Sequence, residues 1–219
     1  MNSSAQNILI CFALKEEAAP FHKIAARHPG IVTLIVGIGR ANAEQSVRSF
    51  LTSGSPALVL TCGFAGGLNP DLKLGEVVFE PAEPAANDSK LVAALLSAGA
   101  KPVKFFCADR IATTVAEKQA LRAQTGADAV EMESAAIHAV CAERGILCAT
   151  VRVISDTAHE ALPLDFNALA KPDKSIDAGK LALAIAKAPW KIGALLALQK
   201  KTKFAAERLT AVLEKIISP

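Results

Sequence analysis

The sequence contains no stretch approaching the roughly 18 uninterrupted apolar residues that a membrane-crossing helix requires, so no span is expected. Its five cysteines, at positions 11, 62, 107, 141 and 148, include no close pair of the kind that zinc or iron–sulfur sites use. An odd number without framework spacing also argues against a disulfide scaffold. These thiols read as small buried hydrophobes in a reducing compartment, the cytoplasm. The histidines at 22, 28, 138 and 159 do not gather with acids at metal-ligand spacing, and neither a metal nor an organic cofactor is expected. There is no internal repeat, and no low-complexity tract beyond an Ala/Pro/Glu patch around Pro81–Asn87 that reads as a loop. Nor is there a large excess of charge: 24 basic and 21 acidic side chains leave +3, too little for a nucleic-acid binder that works by neutralising phosphates. The apolar run Ile8–Leu14 is short, lacks a basic flank and leads into Lys15-Glu16-Glu17, so it is a strand rather than a targeting signal.

What is present is a hydrophobic fraction of 52% in 219 residues, ample for the core of one large α/β domain. Short apolar runs at Ile8–Ala13, Ile31–Val36, Ala57–Thr61, Glu76–Phe79, Val103–Cys107 and Leu147–Ile154 have the character of buried strands. Between them, Glu16–Arg27, Ala41–Thr52, Lys90–Ser97, Val115–Gln124 and Glu133–Arg144 have helical spacing, with Gly145 placed to end the last of these. The alternation predicts an α/β fold with a largely buried sheet. After about Lys187 the composition changes to an amphipathic run, Ile192–Ile217. From Lys171 to Lys215 there are ten Lys or Arg against four Asp or Glu, so positive charge is concentrated in the tail. The expected division is an α/β domain over 1–187 and a basic amphipathic helical extension over 188–219.

Several local patterns carry chemistry. Gly37-Ile38-Gly39-Arg40 follows a strand and opens a helix, a turn that exposes backbone N–H groups at a positive helix end and suits an anion. A third glycine and a downstream acid are missing, so it is not a dinucleotide fingerprint. Gly63-Phe64-Ala65-Gly66-Gly67 reads as a second glycine turn after a strand, where a ligand could approach backbone closely. Both turns are expected at one crevice at the strand ends. Glu131, Glu133 and Asp156 sit among apolar neighbours, where carboxylates need partners; helix-start charge and capping are the plain alternatives. Arg152 interrupts the strand Ala149–Ile154, and is expected to be buried and paired with Glu131 or Glu17.

Four blocks together resemble the superfamily of purine nucleoside phosphorylases and methylthioadenosine/S-adenosylhomocysteine nucleosidases. They are Phe12-Ala13-Leu14-Lys15-Glu16-Glu17, Gly37–Ala43, Gly63–Leu68 and, the most specific, Val130-Glu131-Met132-Glu133-Ser134 with Val151-Arg152-Val153-Ile154-Ser155-Asp156. The resemblance extends to about residue 170. It implies a three-layer α/β/α sandwich around a central mixed sheet, and cleavage of the N-glycosidic bond of a purine nucleoside. It further implies that Asp156 protonates or hydrogen-bonds the purine imidazole nitrogen and that Glu133 holds the ribose hydroxyls with Met132 against the sugar. Glu17 would orient attacking water. Glu131, the backbone at Ile111, and Phe64, Ala65 and Gly66 would border the substrate, and Gly39 and Arg40 would meet an anion.

Two departures from the nucleosidase pattern bear on the substrate. Phe64 replaces a small polar residue, and the Phe79–Val103 segment is shorter, which opens the side facing the ribose 5′ group. With the basic tail, these features are similar to the branch of hopanoid-associated phosphorylases thought to remove adenine from adenosylhopane. The expected substrate is therefore a small-molecule or lipid-linked adenine nucleoside with a modified 5′ group, and a methylthioadenosine-type nucleosidase or a non-catalytic nucleoside binder is the alternative. The acceptor stays open: Glu17 favours water, and Arg40 leaves room for phosphate as a co-substrate. A homodimer or higher homo-oligomer is expected; for the C-terminal helix ordinary packing on the core is the first reading, and peripheral contact to the inner membrane is the alternative.

Overall fold

The structure is a computed structural model that describes residues 7–81 and 89–217. The chain opens with strand β1 (Ile8–Phe12), helices α1 (Lys15–Ala18) and α2 (His22–Ala25), strand β2 (Ile31–Ile35) and helix α3 (Arg40–Phe50). Then come β3 (Leu58–Gly67), β4 (Val77–Pro81), α4 (Ser89–Ser97), β5 (Lys101–Pro102) and β6 (Phe105–Cys107). Helix α5 (Val115–Thr125), β7 (Ala129–Glu131), α6 (Ser134–Glu143) and β8 (Leu147–Asp156) carry the rest of the sheet. The tail holds α7 (Phe166–Leu169), α8 (Ala178–Lys187), a 3₁₀ turn (Pro189–Lys191) and the long α9 (Ile192–Ile217). Of the patch expected as a loop at Pro81–Asn87, Pro81 ends β4 and the rest lies outside the described residues, as does part of the shortened Phe79–Val103 segment.

The eight strands form one mixed sheet in the order β2-β1-β3-β8-β4-β5, with β7 bridging from the end of β3 to β6. The long central pair β3 and β8 runs parallel from Leu58↔Leu147 to Ala65↔Ile154, whereas β4 pairs antiparallel with β8 and β7 antiparallel with β3. Helices cover both faces, because alternate residues of a strand point to opposite sides. From β1, Ile10 and Phe12 join one core cluster with Phe21, Leu95 and Leu209, while Leu9 and Cys11 join the other with Val47, Ile137 and Val140. This is the α/β/α sandwich with a mixed sheet. All five cysteines are free and buried within it.

Local chemistry explains most element ends. Thr114 caps α5: its Oγ1 accepts the Glu117 N–H at 3.1 Å and its own N–H donates to Glu117 Oε2 at 3.0 Å, the reciprocal pair of a capping box. Gly145 follows α6 in the left-handed conformation, φ 65°, as its position suggests. Three expectations fail for identifiable reasons. The single helix expected over Glu16–Arg27 is split into α1 and α2, because Pro20 has no N–H and its ring clashes with the preceding turn. The run Val103–Cys107 is a strand only over Phe105–Cys107 (β6), which pairs with β7, whereas the preceding β5 (Lys101–Pro102) pairs with β4, so the chain changes partners at Val103 and Lys104.

The third concerns the supposed glycine turn at Gly63–Gly67, which is a continuation of β3. Here glycine makes room. Gly63 has φ 143°, and a Cβ on it would lie 2.6 Å from Glu17 Oε1 and 2.7 Å from Arg152 Nη1. A Cβ on Gly66 would stand 3.2 Å from Val130 Cγ1 and 3.3 Å from Asp156 Oδ2. A register shift between Ala65 and Gly66 bends the strand at this point, a bulge beside the cavity described below.

The expected boundary near Lys187 does not coincide with the edge of the core. The first half of α9 is poorly covered, whereas Ala205, Leu209, Val212 and Leu213 are buried against β3, β4 and β8 in the main cluster. Leu209→Ala is accordingly expected to lower stability by about 2–5 kcal/mol in urea denaturation. An unchanged midpoint would show that the distal half of α9 is not part of the core.

Candidate active site

The cavity that gathers the acidic residues has a volume of about 310 Å³. It lies where β3, β7 and β8 end and α1 and α6 begin, the usual ligand position in an open α/β sheet. Glu17, Glu131, Glu133 and Asp156 border it, with Met132, Phe64, Ala65, Gly66 and Ile111. A wider neighbouring cleft of about 520 Å³ runs along Gly37, Asn42 and Ser46 and contains none of these.

At the centre of the charged side is Arg152, 1% exposed, in the middle of β8 and in register with Gly63. Its Nη2 donates to Glu131 Oε2 at 2.7 Å, to Glu133 Oε2 at 3.2 Å and to Thr61 Oγ1 at 3.0 Å, and its Nη1 donates to the Cys62 carbonyl at 3.0 Å. The expected pairing with Glu131 is therefore present. Glu17 is close enough for Arg152 to act on its charge, but makes no ion pair with it. Among the described residues, Arg152 Nε is a buried nitrogen with no hydrogen-bond partner, a local cost of about 1–3 kcal/mol. Its surroundings serve the carboxylates better than they serve the arginine.

The carboxylates differ in what remains open on them. Glu131 is saturated: Oε2 accepts the N–H groups of Glu133 at 2.9 Å and Ser134 at 2.8 Å as well as Arg152, and Oε1 accepts the Ser134 hydroxyl at 2.6 Å. It thereby caps the start of α6. Burial pushes its pKa up, but Arg152 and these donors outweigh burial and hold it below the ordinary glutamate value. Glu133 accepts the Gly39 N–H at 2.9 Å on Oε1, and burial together with the Glu131 charge raises its pKa.

Glu17 is 3% exposed; Leu14 N–H donates to its Oε2 at 2.9 Å and Phe64 N–H to its Oε1 at 2.8 Å. Burial lifts its pKa to about 7 against the pull of Arg152 and the two amides. A carboxylate poised there can accept a proton near neutrality.

Asp156 ends β8 and is held by two neighbours. The Ser155 hydroxyl donates to Oδ1 at 2.7 Å, and the Lys118 ammonium donates to Oδ2. Lys118 comes from α5, is 0% exposed, and also donates to the carbonyls of Thr157 at 2.7 Å and Glu160 at 2.8 Å. Sequence reasoning missed it, since one lysine in an amphipathic helix reads as a surface residue; the available signal was the need of a buried Asp156 for a cation. Leu198 and Thr202 of α9 were also missed, and they border the cavity.

Two expected contacts take a different form. Gly39 and Arg40 do not border the cavity. The Gly39 amide is occupied by Glu133, while the Arg40 guanidinium donates to the Cys107 carbonyl and lies 3.3 Å from Asp109 Oδ1. The anion site expected at this turn is thus filled by the chain's own carboxylate. The side chain of Ile111 borders the cavity, but its N–H donates to Asn167 Oδ1 and its carbonyl accepts from Asn167 Nδ2, each at 2.9 Å, which engages the backbone expected to meet a base edge.

Removing Arg152 leaves acids buried without their counter-charge. Arg152→Met is expected to cost about 3–5 kcal/mol in urea denaturation at pH 8. For a carboxyl whose folded pKa is raised, as for Glu17, stability is fully present below its unfolded value of 4.5 and is lost as pH rises through about 7. Without Arg152 that loss deepens, so the variant's deficit should shrink as pH falls towards 5. A deficit independent of pH would mean that the arginine is not there for charge.

Residues 18–188 match the family model described as the phosphorylase superfamily. The chain is 31% identical over 166 residues to a 5′-methylthioadenosine/S-adenosylhomocysteine nucleosidase of Marinomonas, covering 62% of this chain and 72% of that one. It is 26% identical over 201 residues to the aminodeoxyfutalosine nucleosidase of Helicobacter pylori, covering 77% and 87%. Among solved structures, the methylthioadenosine/S-adenosylhomocysteine nucleosidase of Neisseria meningitidis, in complex with methylthio-immucillin-A, superimposes with a TM-score of 0.70 at 18% identity. That match covers 97% of this chain and 98% of the other. The futalosine hydrolase of Helicobacter pylori gives 0.66 at 20% identity, covering 97% and 99%. The four blocks that resemble this group lie along the cavity or beside it, and the chain belongs to the phosphorylase superfamily.

Proposed function

We propose that the protein is a nucleosidase that hydrolyses the N-glycosidic bond of an adenine nucleoside carrying a modified 5′ group, releasing adenine. The observation that carries this reading is the convergence of Glu17, Glu133 and Asp156 on one largely apolar cavity, each fixed by named donors. The relatives include nucleosidases that act on methylthioadenosine and S-adenosylhomocysteine, according to their names. In the proposed reaction the bond between ribose C1′ and the purine nitrogen breaks with its electrons going to the base. Asp156 delivers a proton to the imidazole nitrogen, which turns the purine into a neutral leaving group. Positive charge develops on the ribose, where Glu133 bonds the hydroxyls and stabilises that charge. Glu17 takes a proton from water as its oxygen bonds to C1′.

Water is favoured over phosphate by the state of the glycine turn. A phosphate dianion needs free backbone amides and cationic side chains. Here the Gly39 amide is taken by Glu133, Arg40 is turned to Cys107 and Asp109 outside the cavity, and Arg110, which borders the cavity, is paired with Glu117 at 2.7 Å. For the 5′ group, an apolar wall of Leu162, Phe166, Ile176 and Leu198 supports a large hydrophobic substituent such as the hopane of adenosylhopane. Methylthioadenosine is the smaller alternative.

Adenine release from a panel running from small thioethers to lipid-linked nucleosides tests the substrate, and the favoured reading requires higher kcat/KM for the lipid-linked members. The rate should be indifferent to added phosphate; dependence on phosphate would establish phosphorolysis instead. Asp156→Ala should lower kcat by roughly 10²–10⁴-fold, and full activity would sink its assigned role.

Because Glu17 must be ionised to receive a proton, kcat/KM should fall about tenfold per unit below pH 7. In Glu17→Gln that limb should vanish along with most of the activity. A limb that persists in the variant would assign it to another group.

A further inference from the structure

Among the described residues seven large hydrophobic side chains stand exposed, and four of them fall between Leu183 and Leu196. They are Leu183, Trp190, Ile192 and Leu196, and Trp190 is 76% exposed. They lie on α8, the 3₁₀ turn and the first half of α9, two helices that meet at a bend of 106°. Nothing from Ala178 to Phe204 is buried, although Ile192–Leu198 is an uninterrupted apolar run. Globular proteins rarely leave so many large apolar side chains of one segment to water.

The charge over the same span has one sign. From Ala178 to Phe204 there are six lysines, at 180, 187, 191, 200, 201 and 203, and no aspartate or glutamate. Lysine stems lie along apolar surface while their ammonium groups reach outward, and tryptophan prefers the boundary between hydrocarbon and head groups. No single helix among those described is long and apolar enough to cross a membrane. The element therefore has the composition of one that lies in an interface.

We infer that α8, the 3₁₀ turn and the first half of α9 form a docking surface for an anionic lipid bilayer, with Leu183, Trp190, Ile192 and Leu196 inserted and Lys187, Lys191, Lys200 and Lys203 on the head groups, Lys201 being paired with Glu160. A second copy of this chain suits the surface less well. A two-fold interface sets the same patch against itself, and would bring like-charged lysines together with no acid in the span to offset them. The proposal does not depend on the reaction proposed above, although Leu198 and Thr202 of the same helix border the cavity and place its apolar wall beside the docking surface.

The test is co-sedimentation of the full chain with phosphatidylcholine vesicles, with and without about one-third phosphatidylglycerol, at low and high salt. Binding should be at least about tenfold tighter to the anionic vesicles and should weaken with salt. The double variant Trp190→Ser/Leu196→Ser should lose about tenfold or more in binding, as should Lys187→Gln/Lys191→Gln, the latter with a smaller salt dependence. Lys187, Trp190 and Leu196 are exposed and Lys191 is half-buried, and unchanged melting temperatures would establish that the variants remain folded. Equal binding to neutral and anionic vesicles overturns the proposal, as does binding unaffected by either variant. Failure to bind, with self-association that Trp190→Ser abolishes, would assign the face to a second copy. Vesicle binding is read without substrate, so the outcome is separate from the fate of the proposed reaction.

Discussion

Arg152 places a permanent positive charge in the interior of the sheet, and the acidic side of the cavity is organised around it. One guanidinium nitrogen reaches Glu131 and Glu133 together, and its field opposes the burial of Glu17. The backbone has given way to admit this group: opposite Arg152 in the neighbouring strand is Gly63, whose missing side chain leaves the space that Glu17 and Arg152 occupy. A buried ion cluster of this kind contributes little net stability, because desolvation offsets the attraction. What it provides is a set of carboxylates with different proton affinities, Glu131 lowered and Glu17 and Glu133 raised, inside a few ångströms of one another. A hydrolytic site needs that separation of roles.

The cavity has two kinds of wall. On the sheet side each carboxylate is fixed by its own donors: the amides of Leu14 and Phe64 on Glu17, the amide of Gly39 on Glu133, and the buried Lys118 ammonium on Asp156. On the other side, Leu162, Phe166, Ile176 and Leu198 come from the segment after β8 and from the poorly covered half of α9. In the proposed reaction the first wall takes the base and ribose, whose bond is to be broken, and the second takes whatever the ribose carries. The loop between them is held from both directions, since Glu160 accepts the Lys201 ammonium on its side chain while its carbonyl accepts Lys118.

Much of this was legible in the sequence where the signal is local or where burial leaves few options. The strands at Ile8, Ile31 and Leu147 and the helices at Ala41, Val115 and Ser134 follow from periodicity and caps, and an arginine inside the apolar strand Ala149–Ile154 had to find an acid. The acids of Val130–Asp156 were visible for the same reason. Features set by distant contacts were not legible. A glycine that turns the chain and a glycine that admits a neighbouring side chain look alike in sequence, so β3 was cut short at Gly63. The partner of the Gly39 amide is a carboxylate 94 residues away. Lys118 gave no sign of burial, and the tail's single amphipathic pattern concealed that one half of α9 is core and the other is not.

Gly63 also bears on how such a pocket can change over generations. A methyl group there would collide with both Glu17 and Arg152, and one on Gly66 would crowd Asp156, so the catalytic wall admits almost no variation at these positions. The apolar wall carries no comparable restriction, since its members are ordinary side chains on the tail and the loops before it. New substrate ranges are therefore open to simple replacement on one side of the cavity and closed on the other. If the proposed reaction holds, a lineage with this architecture can diversify the group attached to the ribose while leaving the bond it cuts untouched.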